Sequence, residues 1–454
     1  MGALRKQFYI YRVLANVSQG AKQNQDAGTA EISHLADHLF RHEAAKLISI
    51  LTGIFGINRL QLAEDVVQDC LIRALRTWPY TGVPKNPAAW LTQTAKNLAL
   101  DVIRREKVFQ DKEPQIIAFL EQWPSETADG ESPTFENEIK DGRLRLMFAC
   151  CHPKLSPEDQ TALALKTLCA FSPGEIAKAF LTTEAAIAKR LTRAKQKIRD
   201  EQIPFEIPAG EELSRRLDVV LQTLYLLFNE GYKASSGDAL IKEDLCHEAI
   251  RLTTLLADHS AGNQPRTHAL VALMLFNSAR LAARTDSQGN MLLLREQDRS
   301  TWDGTMIARA ISHLRHSAAG AELSAYHLQA GIAACHCLAV DYDSTDWPQI
   351  LSLYDRLLGL DPSPVIALNR AVAVANVHGP KAGIEALEAI DGNQLTSYHL
   401  LYAVRGEFEH QLNNFPAAAA NFRKALALTD LKSEESFLSN RLHDSEKRCL
   451  RIVT

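Results

Sequence analysis

Apolar residues recur at three- and four-residue spacing along most of this chain of 454 residues. Leu213, Leu217, Val220, Leu221 and Leu224 show the pattern clearly. Such spacing places side chains on one face of an α-helix, whereas a half-buried strand alternates every second residue. Because alternating stretches are scarce, the pattern predicts an all-α protein.

Interruptions in this helical pattern divide the chain into segments. Little periodicity and several Pro and Gly residues mark a linker at 108–137, and a second proline-bearing break begins at Ile203. The expected order is a flexible leader (1–31), a helical block (32–107), the linker (108–137), a second helical block (138–200), a helical extension (211–330) and helical repeats (331–454).

The repeat prediction rests on two aromatic-proline pairs. Trp347 and Phe415 each precede a proline and lie 68 positions apart, which is twice the 34-residue tetratricopeptide period. Gly406 and Phe422 fit the small and aromatic positions of such a repeat. Because residues 365–398 fit poorly, a generic antiparallel helical bundle remains the alternative.

Composition favours a soluble, globular and cytoplasmic protein. Hydrophobic residues make up 46% of the chain and charged residues 23%. No apolar run approaches the roughly 18 residues that span a bilayer. Eight cysteines without CxxC spacing indicate reduced thiols rather than a disulfide framework.

The common signatures of metal and catalytic sites are missing from the sequence. Cys150, Cys151 and His152 are adjacent, but no further ligand spacing completes a zinc site. No phosphate-binding loop, nucleophile elbow or HExxH helix occurs. We therefore expect no metal, no cofactor and no enzymatic activity.

The net charge of -4 conceals an asymmetry. Residues 1–200 hold 27 Lys and Arg against 23 Asp and Glu, whereas residues 201–454 hold 23 against 31. Ten acids and three bases lie between Glu106 and Asp141. The linker is therefore strongly anionic, which fits either a solvated tether or a mimic of nucleic acid.

Residues 173–199 have the pattern of a helix-turn-helix. Ser172 and Glu175 form a capping box ahead of a first helix, and Thr183 caps a second. In the second helix, the expected buried stripe consists of Ala186, Ile187, Leu191, Ala194 and Ile198.

The outward face of this second helix is strongly basic. In a helix-turn-helix, the second helix enters the DNA major groove. Lys189, Thr192 and Arg193 are the candidates for contacts to base edges. Three residues further along are candidates for phosphate contacts, which give affinity without sequence information: Lys195, Lys197 and Arg199. Arg190 is a further DNA-binding candidate in the same basic set.

Two ordered stretches resemble one known family. LAEDVVQDCLIRALRTW and NPAAWLTQTAKNLALDVIRRE resemble region 2 of bacterial extracytoplasmic-function sigma factors. LSPEDQTALALKTLCAFSPGEIAKAFLTTEAAIAKRLTRAKQKIR resembles their region 4. The resemblance covers about residues 33–200. The remainder looks like the group with a tetratricopeptide-like C-terminal extension.

The resemblance implies partners for the first helical block. Acids and amides on one helical face would bind the clamp coiled coil of core RNA polymerase: Glu64, Asp65, Gln68 and Asp69. On the next helix, Asn97 matches the position beside the pocket for a base flipped from the -10 element, with Asp101, Arg104 and Arg105 following on the same helix. The alternatives are solvated helix faces and, for the two arginines, cations near a helix C-terminus.

The last candidates for functional contacts lie in the segment LYLLFNEGYKAS, Leu224–Ser235. Asn229, Glu230 and Tyr232 would contact the DNA-binding half of the protein. Equally, Gly231 would end a helix running from Leu213 to Glu230, with Tyr232 packing back on it.

The sequence thus predicts a sigma factor that binds core RNA polymerase and promoter DNA, with region 4 reading the -35 element and region 2 the -10 element. The acidic extension would regulate it, bind a protein or peptide, or dock on the basic helix, so deletion of 205–454 should change transcription. The alternatives are a helical-repeat scaffold and a ligand-sensing helix-turn-helix regulator that acts without core polymerase.

Overall fold

The computed structural model describes ten stretches of the chain. The expected leader and the whole of the expected linker, 108–137, lie outside them. The described residues are 43–105, 141–169, 171–180, 182–203, 211–234, 241–260, 262–286, 291–390, 395–429 and 432–453.

The all-α prediction is confirmed. Throughout the described stretches the regular structure is helical, apart from a single antiparallel bridge between Thr285 and Met291. The chain divides into two compact units, Met1–Thr223 and Leu224–Thr454.

The described part of the N-terminal unit contains seven α-helices, the first described from residue 43 onward, and the first half of an eighth. A short 3-10 helix, Ile57–Arg59, precedes the second of them. The helices are α1 (residues 43–55), α2 (Leu60–Thr81), α3 (Pro87–Arg105), α4 (Gly142–Cys150), α5 (Pro157–Leu168), α6 (Pro173–Ala179), α7 (Glu184–Asp200) and α8 (Glu211–Tyr232), which continues into the second unit.

Local capping fixes where several of these helices begin. The Asp141 carboxylate accepts hydrogen bonds from the backbone N–H groups of Arg143 and Leu144 at the start of α4. Ser156 caps α5, and Pro157 occupies its first turn, where a missing N–H costs nothing. α2 then packs on α3, α4 on α5, and both α5 and α6 on α7.

The C-terminal unit continues as a series of helices that pack mainly on their neighbours in sequence. None of the described helices is both long and apolar enough to cross a membrane. After the second half of α8 come α9 (Glu243–Asp258), α10 (Pro265–Ser278), α11 (Gly304–Ser317), α12 (Ala325–Leu338), α13 (Trp347–Leu360), α14 (Pro364–His378), α15 (Pro380–Glu388), α16 (His399–Gln411), α17 (Phe415–Leu426) and α18 (Lys432–Val453).

The aromatic-proline pairs both begin helices. Trp347 is the first residue of α13 and Phe415 the first of α17. Gly406 lies against the ring of Phe422, where an added Cβ would approach the ring to 2.8 Å. A small residue is therefore required at this helix contact, while the tetratricopeptide repeat itself stays a prediction.

The expected helix end at Gly231 is wrong. α8 runs from Glu211 to Tyr232, so Gly231 lies within its last turn. A Cβ at this position would lie 2.7 Å from the backbone nitrogen of Cys246 at the start of α9. Glycine is needed for the close approach of two helices, not for a left-handed cap.

Candidate nucleic-acid interface

The helix-turn-helix is built from the caps that the sequence predicts. Ser172 Oγ accepts from the Glu175 backbone N–H at 3.1 Å, and the Glu175 carboxylate accepts from the Ser172 N–H at 2.7 Å. Thr183 Oγ1 accepts from the Ala186 N–H at 3.3 Å at the start of α7. These contacts satisfy orphan N–H groups at both helix starts.

One face of α7 is buried and the opposite face is exposed. Ile187, Leu191, Ala194 and Ile198 form the buried stripe, at spacings of four, three and four residues. Ala186, expected to be buried, is exposed. It lies about 100° around the helix from Ile187, so it falls outside the stripe.

The candidates for base contacts lie on the exposed face. Lys189, Thr192 and Arg193 are all exposed. Thr192 Oγ1 donates to the Ala188 carbonyl at 2.9 Å, so its proton is used within the helix. In the described part of the chain, no carboxylate forms an ion pair with Lys189 or Arg193, which leaves both cations available for an anionic partner.

The remaining cations of α7 differ in their surroundings. Arg190 is half-buried, with its Nε 3.7 Å from Asp159 Oδ1 and its guanidinium 5.8 Å from the Phe180 ring centroid. Arg190 therefore ties α7 to the helices beneath it. Lys197 is 3.9 Å from Glu201 and remains about half exposed.

Lys195 faces α2 instead of solvent. Its Nζ lies 2.5 Å from Glu64 Oε2 and 3.0 Å from Gln61 Oε1, both on α2. Glu64, a candidate for polymerase binding, is thus paired with a candidate for DNA binding. Asp65 accepts a hydrogen bond from Gln61 at 3.1 Å, and Asp65, Gln68 and Asp69 are half-buried on the same helix.

The candidates on α3 share an exposed face. Asn97 Oδ1 accepts a hydrogen bond from Gln93 Nε2 at 3.0 Å. Asn97, Asp101, Arg104 and Arg105 are exposed and follow one another at helical spacing. This face offers an amide and two cations together.

Sequence reasoning missed one exposed aromatic residue at the end of α2. Trp78 is buried and packs edge-on against Trp90, with ring centroids 5.5 Å apart. Tyr80, two residues later, is 90% exposed. An exposed aromatic ring can stack on an unpaired base. The available signal in the sequence was the nearby Pro79 and Gly82, which are residue types common at helix ends and turns.

The three candidates of the extension lie within the C-terminal unit. Glu230 accepts from Lys242 Nζ at 2.7 Å. The Tyr232 ring stacks on Phe228, and its hydroxyl accepts from Arg280 at 2.7 Å.

A cation also lies over the Tyr232 ring, because the Arg284 guanidinium is 3.7 Å from the ring centroid. Burial opposes ionisation of Tyr232, but Arg280 and Arg284 outweigh it and lower the pKa of the phenol. Burial raises the pKa of the Tyr225 phenol, and the Asn229 side chain partly offsets this rise. Within this unit these side chains serve internal packing.

The adjacent cysteines, Cys150 and Cys151, are buried as free thiols. Burial raises the pKa of Cys150, and raises that of Cys151 to about 12, so both remain thiols at neutral pH. No group of three or more potential ligands for a metal ion occurs among the described residues.

Comparison with known proteins identifies two regions of the N-terminal unit. Residues 39–108 match Sigma-70 region 2, and residues 145–198 match Sigma-70, region 4. Residues 216–318 match a family of unknown function, DUF6596. An uncharacterized protein of Rhizobium meliloti (strain 1021) is 38% identical over 386 residues, covering 85% of this chain and 90% of that protein. No solved structure matches.

Regions 2 and 4, in this order on one chain, define a sigma factor for promoter-specific transcription. The chain belongs to the sigma-70 family of RNA polymerase sigma factors. The uncharacterized Rhizobium protein is similar to it over most of its length.

Proposed function

We propose that this chain binds core RNA polymerase through region 2 and directs it to promoters in which region 4 reads the -35 element and region 2 the -10 element. The exposed Lys189 and Arg193 on a capped recognition helix are the observation that carries the proposal. Asn97 on the exposed face of α3 supplies an amide that can donate and accept at a base edge. The chain itself needs no catalytic residue for this role.

Reconstituted transcription tests the proposal. Purified chain and core polymerase are given a promoter library, and the start sites are read. Defined start sites that depend on the chain support a sigma factor. A helical scaffold gives neither polymerase binding nor start sites. A ligand-sensing regulator binds duplex DNA without the polymerase.

Replacement of Arg193 by Ala should relax promoter selectivity. A good side-chain contact to a base edge is worth about 1–3 kcal/mol of discrimination, so the preference at one -35 position should fall by roughly tenfold. Arg199→Ala, an exposed phosphate candidate on the same helix, should weaken all promoters alike. Lower affinity for core polymerase with promoter preference intact would refute the role given to Arg193.

Replacement of Asn97 should relax selection in the -10 element. Asn97→Asp keeps the shape of the side chain but exchanges the amide donor for an acceptor, so recognition that uses the donor should lose about 1–3 kcal/mol. Because Asn97 is exposed, thermal unfolding should hardly change. Start-site profiles on a library of -10 variants measure the effect; an unchanged profile for both Asn97→Asp and Asn97→Ala would rule out base recognition by this residue.

The C-terminal extension is proposed to regulate initiation. It forms a compact unit of its own, Leu224–Thr454. This unit holds 26 Asp and Glu against 21 Lys and Arg, an excess of five acidic charges. An acidic helical unit offers a surface for a protein or peptide. Because opposite charges favour association, we expect its ligand to be basic.

A further inference from the structure

Three arginines of the C-terminal unit converge on two aromatic side chains. The guanidinium groups of Arg280 and Arg299 lie 5.7 and 4.7 Å from the centroid of the Trp302 ring. Arg280 Nη2 also donates to the Tyr232 hydroxyl at 2.7 Å. Arg284 lies over the Tyr232 ring, 3.7 Å from its centroid, and donates to the Tyr232 carbonyl. We call the three side chains the arginine cluster: Arg280, Arg284 and Arg299.

The arginine cluster lacks a carboxylate counter-ion. In the described part of the C-terminal unit, no Asp or Glu forms an ion pair with any of its three members, and each member is only partly exposed to water. Asp341 acts on Arg299 electrostatically from beyond ion-pair distance, and its carboxylate accepts the Ser344 backbone N–H at 2.7 Å. Removal of a charge from water is costly unless a group of opposite charge replaces the water. The cluster therefore carries positive charge that neighbouring carboxylates do not balance.

The ionisation of neighbouring groups reflects this excess of positive charge. Burial, Arg280 and Arg299 together lower the pKa of His336 to about 3, so its imidazole is neutral at neutral pH. Burial also lowers the pKa of Arg284; Tyr232 opposes this effect, and Arg280 adds to it. One phenol in contact with two of the arginines cannot balance three positive charges.

Unused hydrogen-bonding atoms accompany the charge. Arg280 Nε, Trp302 Nε1 and His336 Nδ1 are buried and have no hydrogen-bond partner. Such atoms are rare in folded proteins, so each requires an explanation. Guanidinium and indole N–H groups can only donate, and a neutral imidazole donates from Nδ1 in one of its two tautomers. Positive charge together with spare donors is the combination that binds an oxyanion.

We propose that the arginine cluster binds a phosphate group, supplied either by free phosphate or by a small phosphate monoester. A phosphate group carries about 1.5 to 2 negative charges at neutral pH and at least three acceptor oxygens, so it balances more of the cluster than a single carboxylate does. A guanidinium group can pair with two phosphate oxygens at once. The ligand is small, because the arginines are only partly exposed and Trp302 is 8% exposed. This site lies within the extension and does not depend on the proposed promoter recognition.

NMR signals of the indole N–H groups in the full-length, nitrogen-15-labelled protein test the site. The Trp302 signal is assigned by its loss in Trp302→Phe. Inorganic phosphate should shift this signal in a saturable manner, whereas sodium chloride at the same ionic strength should not. Adenosine monophosphate serves as the probe for a monoester, and whichever of the two phosphate probes binds more tightly identifies the source of the phosphate group. Succinate, a dicarboxylate, should shift the signal only at much higher concentration.

Equilibrium dialysis with radiolabelled phosphate tests which side chains bind it. Arg284→Gln removes one guanidinium group and should weaken binding about tenfold, which corresponds to ~1.4 kcal/mol. Arg315→Gln, at an exposed arginine of α11 in the same unit, should bind like the wild type. Thermal unfolding checks that both variants are folded.

The wild type alone can overturn the proposal. A Trp302 signal that neither phosphate probe shifts would mean that the cluster is balanced without a phosphate ligand. Equal shifts by succinate and phosphate at the same concentration would exclude a site selective for phosphate. Equal phosphate binding by the wild type and a folded Arg284→Gln would exclude the arginine cluster as the site.

Discussion

A chain that ends after Thr223 should keep the N-terminal unit folded, whereas a chain that ends at residue 204 should lose about 4 kcal/mol of unfolding free energy. The first half of α8 belongs to this unit, and its Leu213 and Leu217 are buried. Burial of each leucine contributes about 1.5–3 kcal/mol. Arg216 Nη1 also donates to the Phe148 carbonyl in α4 at 3.0 Å.

Denaturant unfolding of the two truncated chains measures the difference, and point variants separate the contribution of the arginine. Arg216→Met should cost about 2 kcal/mol, because it removes a charged donor from a buried carbonyl. Arg215→Met, at a side chain that is 75% exposed, should change stability by less than about 0.5 kcal/mol. Equal stability of the two truncated chains would show that α8 contributes nothing to the N-terminal unit.

This boundary decides how the regulatory proposal is tested. A deletion of 205–454, the one the sequence suggests, removes all of α8, including the first half that belongs to the N-terminal unit. Lost transcription would then report unfolding rather than regulation. The chain that ends after Thr223 is the appropriate comparison. If it and the full-length chain gave the same promoter output, the extension would have no regulatory role in a purified system.

The sequence predicted the helix-turn-helix well because its signals are local. Ser172, Glu175 and Thr183 each cap a helix by bonding to a residue three positions away. Helical spacing likewise placed Ile187 and Leu191 on the buried face of α7. Contacts within one helical turn join residues that are close in the sequence, so sequence patterns can predict them.

The features that were missed depend on distant parts of the chain. Lys195 and Glu64 are 131 residues apart in the sequence, and the local pattern of neither helix predicts that the two side chains form an ion pair. Arg190 is predicted to bind DNA because of its charge, but Asp159, on another helix, lies beside it. Gly231 was predicted to end a helix, but glycine is needed there because the backbone of Cys246 approaches closely. Residue type predicted which charged side chains could bind DNA or the polymerase. Tertiary packing determines which of them are exposed and which are paired within the protein.

Replacement of Glu434 by Gln should destabilise the C-terminal unit by about 3 kcal/mol at neutral pH. The Glu434 side chain is 4% exposed, with its carboxylate 2.7 Å from Lys233 Nζ, 3.0 Å from His399 Nε2 and 2.7 Å from Thr429 Oγ1. Burial raises the pKa of this carboxyl, but His399, Lys233 and Thr429 outweigh it and lower the pKa from 4.5 to about 2. That shift corresponds to about 3 kcal/mol.

The sign of this shift fixes the pH dependence of the effect. Because the folded pKa lies below the unfolded value, the stabilisation by Glu434 is complete above about pH 4.5 and disappears as the pH falls towards 2. Denaturant unfolding at a series of pH values should therefore show the wild type and Glu434→Gln converging in acid. Glu435→Gln, the same change at the exposed neighbouring residue, should match the wild type throughout. A difference between wild type and Glu434→Gln that stayed constant from pH 7 to pH 3 would mean that the side chain stabilises α18 by its packing and not by its charge.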